Sequence, residues 1–203
     1  MDAGPGLNFF AAKKERLLFS AVGPLCIPET VRNEIQAKSS RDPRFVRAGR
    51  ALARIPVTLL AVLPDDETSG LDQVVTRLAG KPMAERMRFP RDLGETMVIA
   101  HAVTLAEAGD DITVLIDDGA GTLLAGGEQA RLDRKREQGA PVGSLSIIST
   151  VTVLERSVRD GHVEDKGEMR MIYAQFRGLD DGLPPVEQTR LLSKELWSQR
   201  KIR

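Results

Sequence analysis

The chain has 203 residues, of which 41% are hydrophobic and 4% aromatic, and its 29 basic residues balance its 29 acidic residues. This length fits one domain with appendages, and a formal net charge of zero favours neither nucleic acid nor a membrane surface as a partner. The small number of aromatic residues argues against recognition of nucleic acid by base stacking. The single cysteine excludes an internal disulfide, and the sequence has no apolar run of membrane-spanning length and no signal peptide, so we expect a cytoplasmic protein.

Helical and strand-like patterns alternate along the chain, which predicts an α/β fold with a parallel sheet. Residues 7–20 have helical apolar spacing, and residues 55–63 form an apolar run of strand length. Further on, residues 122–139 and 145–159 are predicted helices, and residues 186–203 predict a charged terminal helix with a thin apolar stripe. Cys26 lies in an apolar context and is predicted to be a core residue.

Basic residues recur at steps of three and four between residues 38 and 54, where Asp42 is the only acid. This spacing places several of them along one side of a predicted helix, and guanidinium groups suit phosphate oxygens. The same pattern is typical of a solvated helix face, and the sequence leaves both interpretations open. The residues predicted to contact nucleic acid are Arg41, Arg44, Arg47 and Arg50.

The segment 92–121 has the most distinctive pattern in the chain. Asp92 and Glu95 have the spacing of a capping box, which predicts a helix start. The helix that follows is apolar nearly all round and is therefore predicted to be buried, with His101 as a hydrogen-bonded core residue. Residues 112–116 predict a buried strand that ends at Asp117 and Asp118, before a flexible glycine-rich turn.

These carboxylates are expected to meet at one edge of the sheet, because ligand sites in open α/β sheets lie outside the carboxyl ends of the strands. Carboxylates that lie close together repel, and Mg²⁺ relieves the repulsion by accepting their oxygens as ligands. Taken alone, however, Glu95 also fits a helix cap, and Asp117 and Asp118 also fit a polar turn.

Several segments in a fixed order then resemble the PIN-domain family, in particular its branch of VapC-type toxins. They are DAGPGL (2–7), IPETVRNEI (27–35), DLGETMVIAHA (92–102), VLIDDGAG (114–121) and PVGSLSIISTVTVLERSVRDGHV (141–163). The resemblance implies a three-layer α/β/α sandwich with a central parallel sheet over residues 1–182, followed by a charged helical tail over residues 183–203. Only Met1 precedes Asp2, so we expect the first strand of this domain to be truncated.

The resemblance also implies a function. It predicts a metal-dependent ribonuclease that hydrolyses RNA phosphodiester bonds with Mg²⁺ or Mn²⁺, as the toxin of a toxin–antitoxin pair, with an antitoxin protein as partner and a homodimer as the assembly. Matched position by position, the catalytic acids would be Asp2, Glu34, Glu95 and Asp118. The metal ligands would be Asp2, Glu95, Asp117 and Asp118.

Two departures from the family pattern keep other functions open. The first strand is short, and Thr122 stands where the family usually has an arginine. A catalytically silent PIN-like module that binds RNA or a protein fits these departures and the basic stretch. A phosphohydrolase acting on a small phosphate ester would use the same acids.

Overall fold

A computed structural model describes residues 1–201 as a mixed α/β fold of helices and short strands. Two single turns of 3₁₀ helix, Pro43–Phe45 and Val186–Gln188, accompany the regular elements. In chain order these elements are α1 (Ala3–Ala11), α2 (Glu15–Val22), β1 (Leu25–Pro28), α3 (Glu29–Arg41), α4 (Val46–Leu52), β2 (Leu60–Leu63), α5 (Ser69–Ala79), α6 (Met83–Arg86), α7 (Leu93–Glu107), β3 (Ile112–Leu115), α8 (Gly119–Glu137), β4 (Leu145–Ile148), α9 (Thr150–Arg159), α10 (Lys166–Leu179) and α11 (Lys194–Ser198). Within residues 1–201, no helix is both long enough and apolar enough to cross a membrane.

The strands form two small parallel sheets, which confirms the predicted α/β class with parallel strands. One sheet pairs β1 with β2, and the other pairs β3 with β4. In the second sheet Ile112 lies opposite Leu145, and Leu115 lies opposite Ile148. Parallel neighbours need a helical crossover between them, and α8 supplies it here.

The first two residues of the chain hydrogen-bond to strands of both sheets. The amino group of Met1 donates to the carbonyl oxygen of Cys26 in β1 at 2.9 Å. The backbone N–H of Asp2 donates to the carbonyl oxygen of Leu115 in β3 at 2.9 Å. Residues 1 and 2 carry no strand assignment of their own, but they are tied to β1 on one side and to β3 on the other.

The contacts within the chain define two units. The first consists of Met1–Ala3, Cys26–Glu34 and Val62–Ile148. Its core is built around α7, which packs against α5, α8 and β3 and buries most of its side chains, as its all-round apolar sequence predicts. Each large apolar side chain removed from water here contributes roughly 1.5–3 kcal/mol to stability.

The second unit consists of Gly4–Leu25, Ile35–Ala61 and the residues from Ser149 onward. Helix α2 packs against α9. The rings of Phe9 and Phe176 meet edge to face at 4.8 Å between their centroids, so α1 and α10 share an aromatic contact.

The helices predicted over residues 145–159 and 7–20 are each divided into two elements in the structure. The helix predicted over residues 145–159 is a strand, β4, followed by α9. Ser149 caps α9 in a capping box with Thr152, so the helix cannot extend back into the β-branched residues that pair with β3. The helix predicted over residues 7–20 is divided between α1 and α2 at Lys13, whose φ of 61° lies in the left-handed region.

Three further predictions were wrong in part. The basic stretch is not one helix, because Asp42 is extended before Pro43 and separates α3 from α4. Of the strand predicted over residues 55–63, only β2 forms, since the Pro56 carbonyl accepts turn hydrogen bonds from Leu59 and Leu60. The terminal helix predicted over residues 186–203 is limited to α11, and residues 202–203 lie outside the described part of the chain.

The prediction for Cys26 was also wrong, since its side chain is exposed. Successive side chains of a strand point to opposite faces, and the buried face of β1 takes its neighbour Ile27 instead.

Candidate functional site

The end of β3 and the start of α8 fix the position of Asp118. Strand pairing continues one residue beyond β3, where the N–H of Ile116 donates to the carbonyl oxygen of Ile148 at 3.0 Å. Asp118 is then the N-cap of α8, and its Oδ1 accepts from the N–H groups of Ala120 at 2.7 Å and Gly121 at 3.1 Å. The turn that the sequence predicts as flexible is therefore the first turn of a helix, and it holds one carboxylate oxygen of Asp118 in place.

Glu95 lies in the first turn of α7 and is half-buried. Burial, which has the largest effect, and the neighbouring carboxylates of Asp118, Asp2 and Asp92 together raise the pKa of its carboxyl from 4.5 to about 7. Glu95 and Asp118 also share a side-chain hydrogen bond, which favours the protonated form of Glu95. Carboxyl groups from three separate segments of the chain therefore act on one another here.

Asp2 reaches this place through its backbone. Its hydrogen bond to the carbonyl of Leu115 sets it beside the carboxyl end of β3, which is also the end from which Asp118 projects. Asp2 and Asp118 therefore both lie at the carboxyl end of β3, and both affect the pKa of Glu95.

Two glycines make room for the acids. A Cβ at Gly94, at the start of α7, would lie 2.5 Å from Oε2 of Glu34, so the Glu34 carboxylate rests against the backbone of the residue preceding Glu95. A Cβ at Gly121, in the first turn of α8, would lie 2.7 Å from Cδ of Glu95. The two helices that begin at the site can thus approach the carboxylates only because both positions are glycine.

Asp92 does not form the capping box that the sequence predicts. It is the N-cap of α7, but its backbone is left-handed with φ of 53°, and its side chain makes no capping hydrogen bond, so the predicted capping box is wrong. Its Oδ2 lies 3.4 Å from Nε of Arg91, and its charge contributes to the raised pKa of Glu95. Asp92 therefore adds to the negative charge around Glu95, although the sequence did not place it in the site.

The donor atoms suit a hard divalent cation, but they do not yet surround one point. Carboxylate oxygens are the ligands that Mg²⁺ and Mn²⁺ accept. The raised pKa of Glu95 reflects burial first and the negative charge of the neighbouring carboxylates second. Asp117 is half-buried between Ile116 and Asp118 in the chain. Over residues 1–201, however, no group of three or more acidic, histidine or cysteine side chains is arranged to hold a metal ion. The residues fit the ion in charge and donor type, and the Asp118 carboxylate is exposed at the start of α8.

The predicted nucleic-acid residues do not form one surface. Arg47 and Arg50 line a cavity of about 670 Å³ in the second unit, together with Arg16, Arg54 and an apolar wall. The only acid in the lining is Glu15, 3.5 Å from the Arg47 guanidinium, so the cavity carries an excess of positive charge.

The other two predicted arginines lie elsewhere. Arg44 is held by Asp42 through two hydrogen bonds from its Nε and Nη2, which raise the pKa of Arg44 and lower that of Asp42. Arg41 is exposed at the end of α3.

His101 is a hydrogen-bonded core histidine, as predicted. Its side chain is 14% exposed, and its Nε2 lies 2.8 Å from Oδ1 of Asp65. The backbone N–H of Thr30 donates to Oδ2 of the same aspartate at 2.6 Å. Asp65 therefore ties the start of α3, the segment after β2 and the middle of α7 together, and this contact supports the helices that carry Glu34 and Glu95.

Sequence patterns gave no sign of one further feature beside the site, a buried arginine. Arg86 ends α6 and donates to Oγ1 of Thr96, the residue after Glu95, at 3.1 Å.

Comparisons with protein-family models, with curated proteins and with solved structures found no match to this chain.

Proposed function

We propose that this protein is a metal-dependent endoribonuclease that hydrolyses RNA phosphodiester bonds at the cluster formed by Asp2, Glu34, Glu95 and Asp118. The observation that carries the proposal is the placement of acids near the carboxyl end of β3: Asp2 is fixed by its hydrogen bond to Leu115, and Asp118 caps α8 where Gly121 lies against the Glu95 side chain. Burial and the carboxylates of Asp118 and Asp2 also raise the pKa of Glu95 to about 7, and perturbed carboxyl groups of this kind concentrate at functional sites. The segments that supply the acids are those that resemble PIN domains.

The proposed fold is the PIN-like sandwich with a central parallel sheet. Within the first unit, Met1 and Asp2 would act as a minimal first strand between β1 and β3. Their hydrogen bonds to Cys26 on one side and Leu115 on the other support this interpretation. The strand order would then be β4, β3, the first strand, β1 and β2.

In the proposed reaction, Asp2, Glu95 and Asp118, with Asp117 beside them, would hold Mg²⁺ or Mn²⁺. The bound ion would supply a water activated for in-line attack and would neutralise charge that develops on the phosphorus oxygens. The chain's own contribution is positional. The first turn of α8 orients Asp118, the Leu115 carbonyl fixes Asp2, and Gly94 admits Glu34.

The test is cleavage of a mixed RNA pool by the purified protein with Mg²⁺, with Mn²⁺ and with a chelator. Asp118→Asn is the informative variant because asparagine caps helices as well as aspartate does, so it removes the charge and keeps the cap of α8. Asp66→Asn, at an exposed acid outside the cluster, is the matched control. We expect cleavage by wild type and Asp66→Asn that needs the metal, and a loss of at least about a hundredfold in Asp118→Asn. Full activity in Asp118→Asn would overturn the assignment of the site.

A second candidate is a catalytically silent module that binds RNA or a protein, and the arginine-lined cavity favours it. It predicts binding that weakens with salt and no metal-dependent cleavage by the folded protein. Within the leading proposal, RNA is the substrate, and the toxin role, the antitoxin partner, the homodimer and the cytoplasmic location are proposed from the sequence alone.

A further inference from the structure

The segment between α5 and α7 presents an aromatic ring to solvent. Phe89 is 52% exposed, and it is the only exposed aromatic side chain among residues 1–201. Its exposed neighbours in the chain are Arg88, Pro90 and Arg91. The ring therefore stands among charged side chains and not in an apolar patch: the basic residues Lys81, Arg88 and Arg91 lie in the same segment as the acidic residues Glu85 and Asp92. This excess of basic over acidic residues suits an anionic strand better than an apolar protein surface.

A buried arginine holds this ring in place. Arg86 is 8% exposed, and its Nη1 donates to the carbonyl oxygen of Phe89 at 2.5 Å. Its Nη2 donates to the carbonyl oxygen of Arg91 at 2.8 Å and to Oγ1 of Thr96 at 3.1 Å. Charge-assisted hydrogen bonds of this kind are among the stronger ones in proteins. The backbone on both sides of the ring is thus fixed to α7 at the residue after Glu95.

Basic and acidic side chains both lie near the ring. The Nζ of Lys81 lies 4.6 Å from the centroid of Phe89 and 2.9 Å from Oε1 of Glu85. The Arg91 side chain is 93% exposed, and its Nε lies 3.4 Å from Oδ2 of Asp92. Exposed ion pairs of this kind are weak, so the basic groups can exchange these carboxylates for phosphate oxygens. Phe89 and Arg91 also line a cavity of about 240 Å³ with Arg86, Asp92 and Thr96. This volume is below the range of pockets for drug-sized ligands, so it suits one flat group with a charged substituent.

We propose that this surface binds single-stranded RNA, with one unpaired base stacked on Phe89 and the flanking phosphates contacted by Lys81, Arg88 and Arg91. The proposal rests on the proposed function, because it supplies the strand-holding subsite next to the acids. A base presents a π face whatever its identity, so the subsite binds without strong sequence preference. A base-paired strand does not offer that face, so the subsite selects unpaired RNA.

The composition argued against stacking platforms, because the chain has few aromatic residues. One exposed ring nevertheless suffices for one base, provided that its position is fixed. Arg86 supplies that fixation through hydrogen bonds to nearby residues in the chain, which neither the apolar spacing nor the charge pattern indicates.

The test measures binding without cleavage. A short, end-labelled RNA oligonucleotide of mixed sequence is titrated with the full chain carrying Asp118→Asn, in the presence of chelator, and binding is followed by fluorescence anisotropy. Phe89→Ala removes the ring, whereas Phe89→Leu keeps an apolar side chain without a π face. We expect both variants to raise Kd by about 5- to 100-fold for single strands and to leave the weaker binding of a perfect duplex unchanged.

A second variant reports the stacking directly. Phe89→Trp places a fluorophore at the proposed stacking position. The unmodified chain, whose only tryptophan is Trp197, is the reference. We expect RNA to quench the emission of Phe89→Trp and not that of the reference.

Unchanged binding in Phe89→Ala, wild-type binding in Phe89→Leu, or no quenching in Phe89→Trp would overturn the proposal. The Phe89→Leu result would instead indicate an apolar docking contact, as for a protein partner. Because these measurements do not depend on cleavage, loss of the nuclease proposal and loss of the stacking proposal give different results. If the protein cleaves RNA but the Phe89 variants bind RNA as the wild type does, only the stacking proposal is contradicted. If RNA binding depends on Phe89 but the protein does not cleave RNA, only the nuclease proposal is contradicted.

Discussion

Glu95 carries a proton near neutral pH because burial and the carboxylates of Asp118 and Asp2 disfavour its charge. The folded-state pKa of about 7 lies above the ordinary value of 4.5, so the folded protein binds a proton that the unfolded chain releases. Stability from this residue is then fully present below pH 4.5 and is lost as the pH rises toward 7. Divalent cations would reverse the loss by compensating the charge.

We therefore expect Glu95→Gln to stabilise the metal-free protein at pH 8 by about 1–2 kcal/mol, after allowance for solvent screening at a half-buried position. At pH 4 the variant and wild type should have equal stability. Urea unfolding at the two pH values in chelator measures both differences. Equal stability of the two proteins at pH 8 would show that the acids do not repel one another at Glu95.

Asp65 provides the opposite case among the acidic residues. Burial raises its pKa, but hydrogen bonds from His101 and Thr30 outweigh burial and hold the pKa below the ordinary 3.8. Its contribution to stability is present above pH 3.8 and is lost as the pH falls through the lowered folded-state value. We expect Asp65→Asn to lower the unfolding free energy at pH 7 by about 1.5–3 kcal/mol. The exposed neighbour Asp66 serves as the control, and Asp66→Asn should change the free energy of unfolding by less than about 0.5 kcal/mol.

At the scale of elements, two helices start against acidic side chains: α7 against Glu34, and α8 against Glu95. Gly121 lies in the first turn of α8, where an added Cβ would meet the side chains of Ile116 and Glu95. Gly119 begins the same helix, and an added Cβ there would meet nothing within 4 Å. The helix start thus contains one glycine that the site requires and one that it does not.

We expect Gly121→Ala to destabilise the protein by about 1–3 kcal/mol through overpacking and to reduce metal-dependent RNA cleavage by displacing Glu95. Gly119→Ala should be neutral or slightly stabilising, since alanine is the better helix former. Thermal unfolding and cleavage rates of the two variants provide the comparison. A Gly121→Ala protein as stable and active as Gly119→Ala would contradict the close approach of α8 to Glu95.

Local patterns predicted these elements unevenly. The apolar run of β3 and the all-round apolar α7 were recognisable because burial on every side leaves a simple composition. The apolar residues between 145 and 159 fit both the two-residue period of a strand and the 3.6-residue period of a helix. Only the capping box formed by Ser149 and Thr152 marks where the strand ends and the helix begins. Asp42–Pro43 was a visible break in the basic stretch, because a residue before proline disfavours the helical conformation.

At the scale of the whole molecule, the net charge is zero, so the proposed affinity for RNA would have to come from local charge. The cavity lined by Arg16, Arg47, Arg50 and Arg54 in the second unit concentrates such charge, whereas Arg44 is neutralised by Asp42. The sequence predicted the residue types for phosphate binding but not their grouping, because the grouping depends on how α2 and α4 are placed by packing.

Replacement of Arg47 and Arg50 together by glutamine should weaken RNA binding and reduce its salt dependence by about one to two counterions. Arg44→Gln, within the same stretch, should leave both quantities unchanged. Binding isotherms at several salt concentrations separate the outcomes. If the Arg44 variant behaves like the double variant, the whole stretch acts as a diffuse patch and the cavity has no special role.

A general rule about strand ends predicts that acids gather there, and in the structure Asp118 and Asp2 lie near enough to Glu95 to add to the effect of burial on its pKa. What the sequence could not reveal are the left-handed backbone of Asp92, the openings at Gly94 and Gly121, and the anchoring of Phe89 by Arg86. The two openings depend on contacts with Glu34 and Glu95, which are distant in the chain. The backbone of Asp92 and the contacts of Arg86 are local, but no apolar period or capping pattern indicates them.

The measurement that tests the site most directly is the titration of Glu95 by NMR in protein with ¹³C-labelled glutamate side chains and without metal. Glu95→Gln identifies the resonance. Asp118→Asn removes the neighbouring charge that raises the pKa of Glu95 most, and it keeps the helix cap. We expect Glu95 to titrate near pH 7 in the wild type, at a clearly lower pH in Asp118→Asn, and at a lower pH again in the wild type with Mg²⁺. Titration near pH 4.5 in the wild type, with no response to Asp118→Asn or to Mg²⁺, would show that the carboxylates do not form one site.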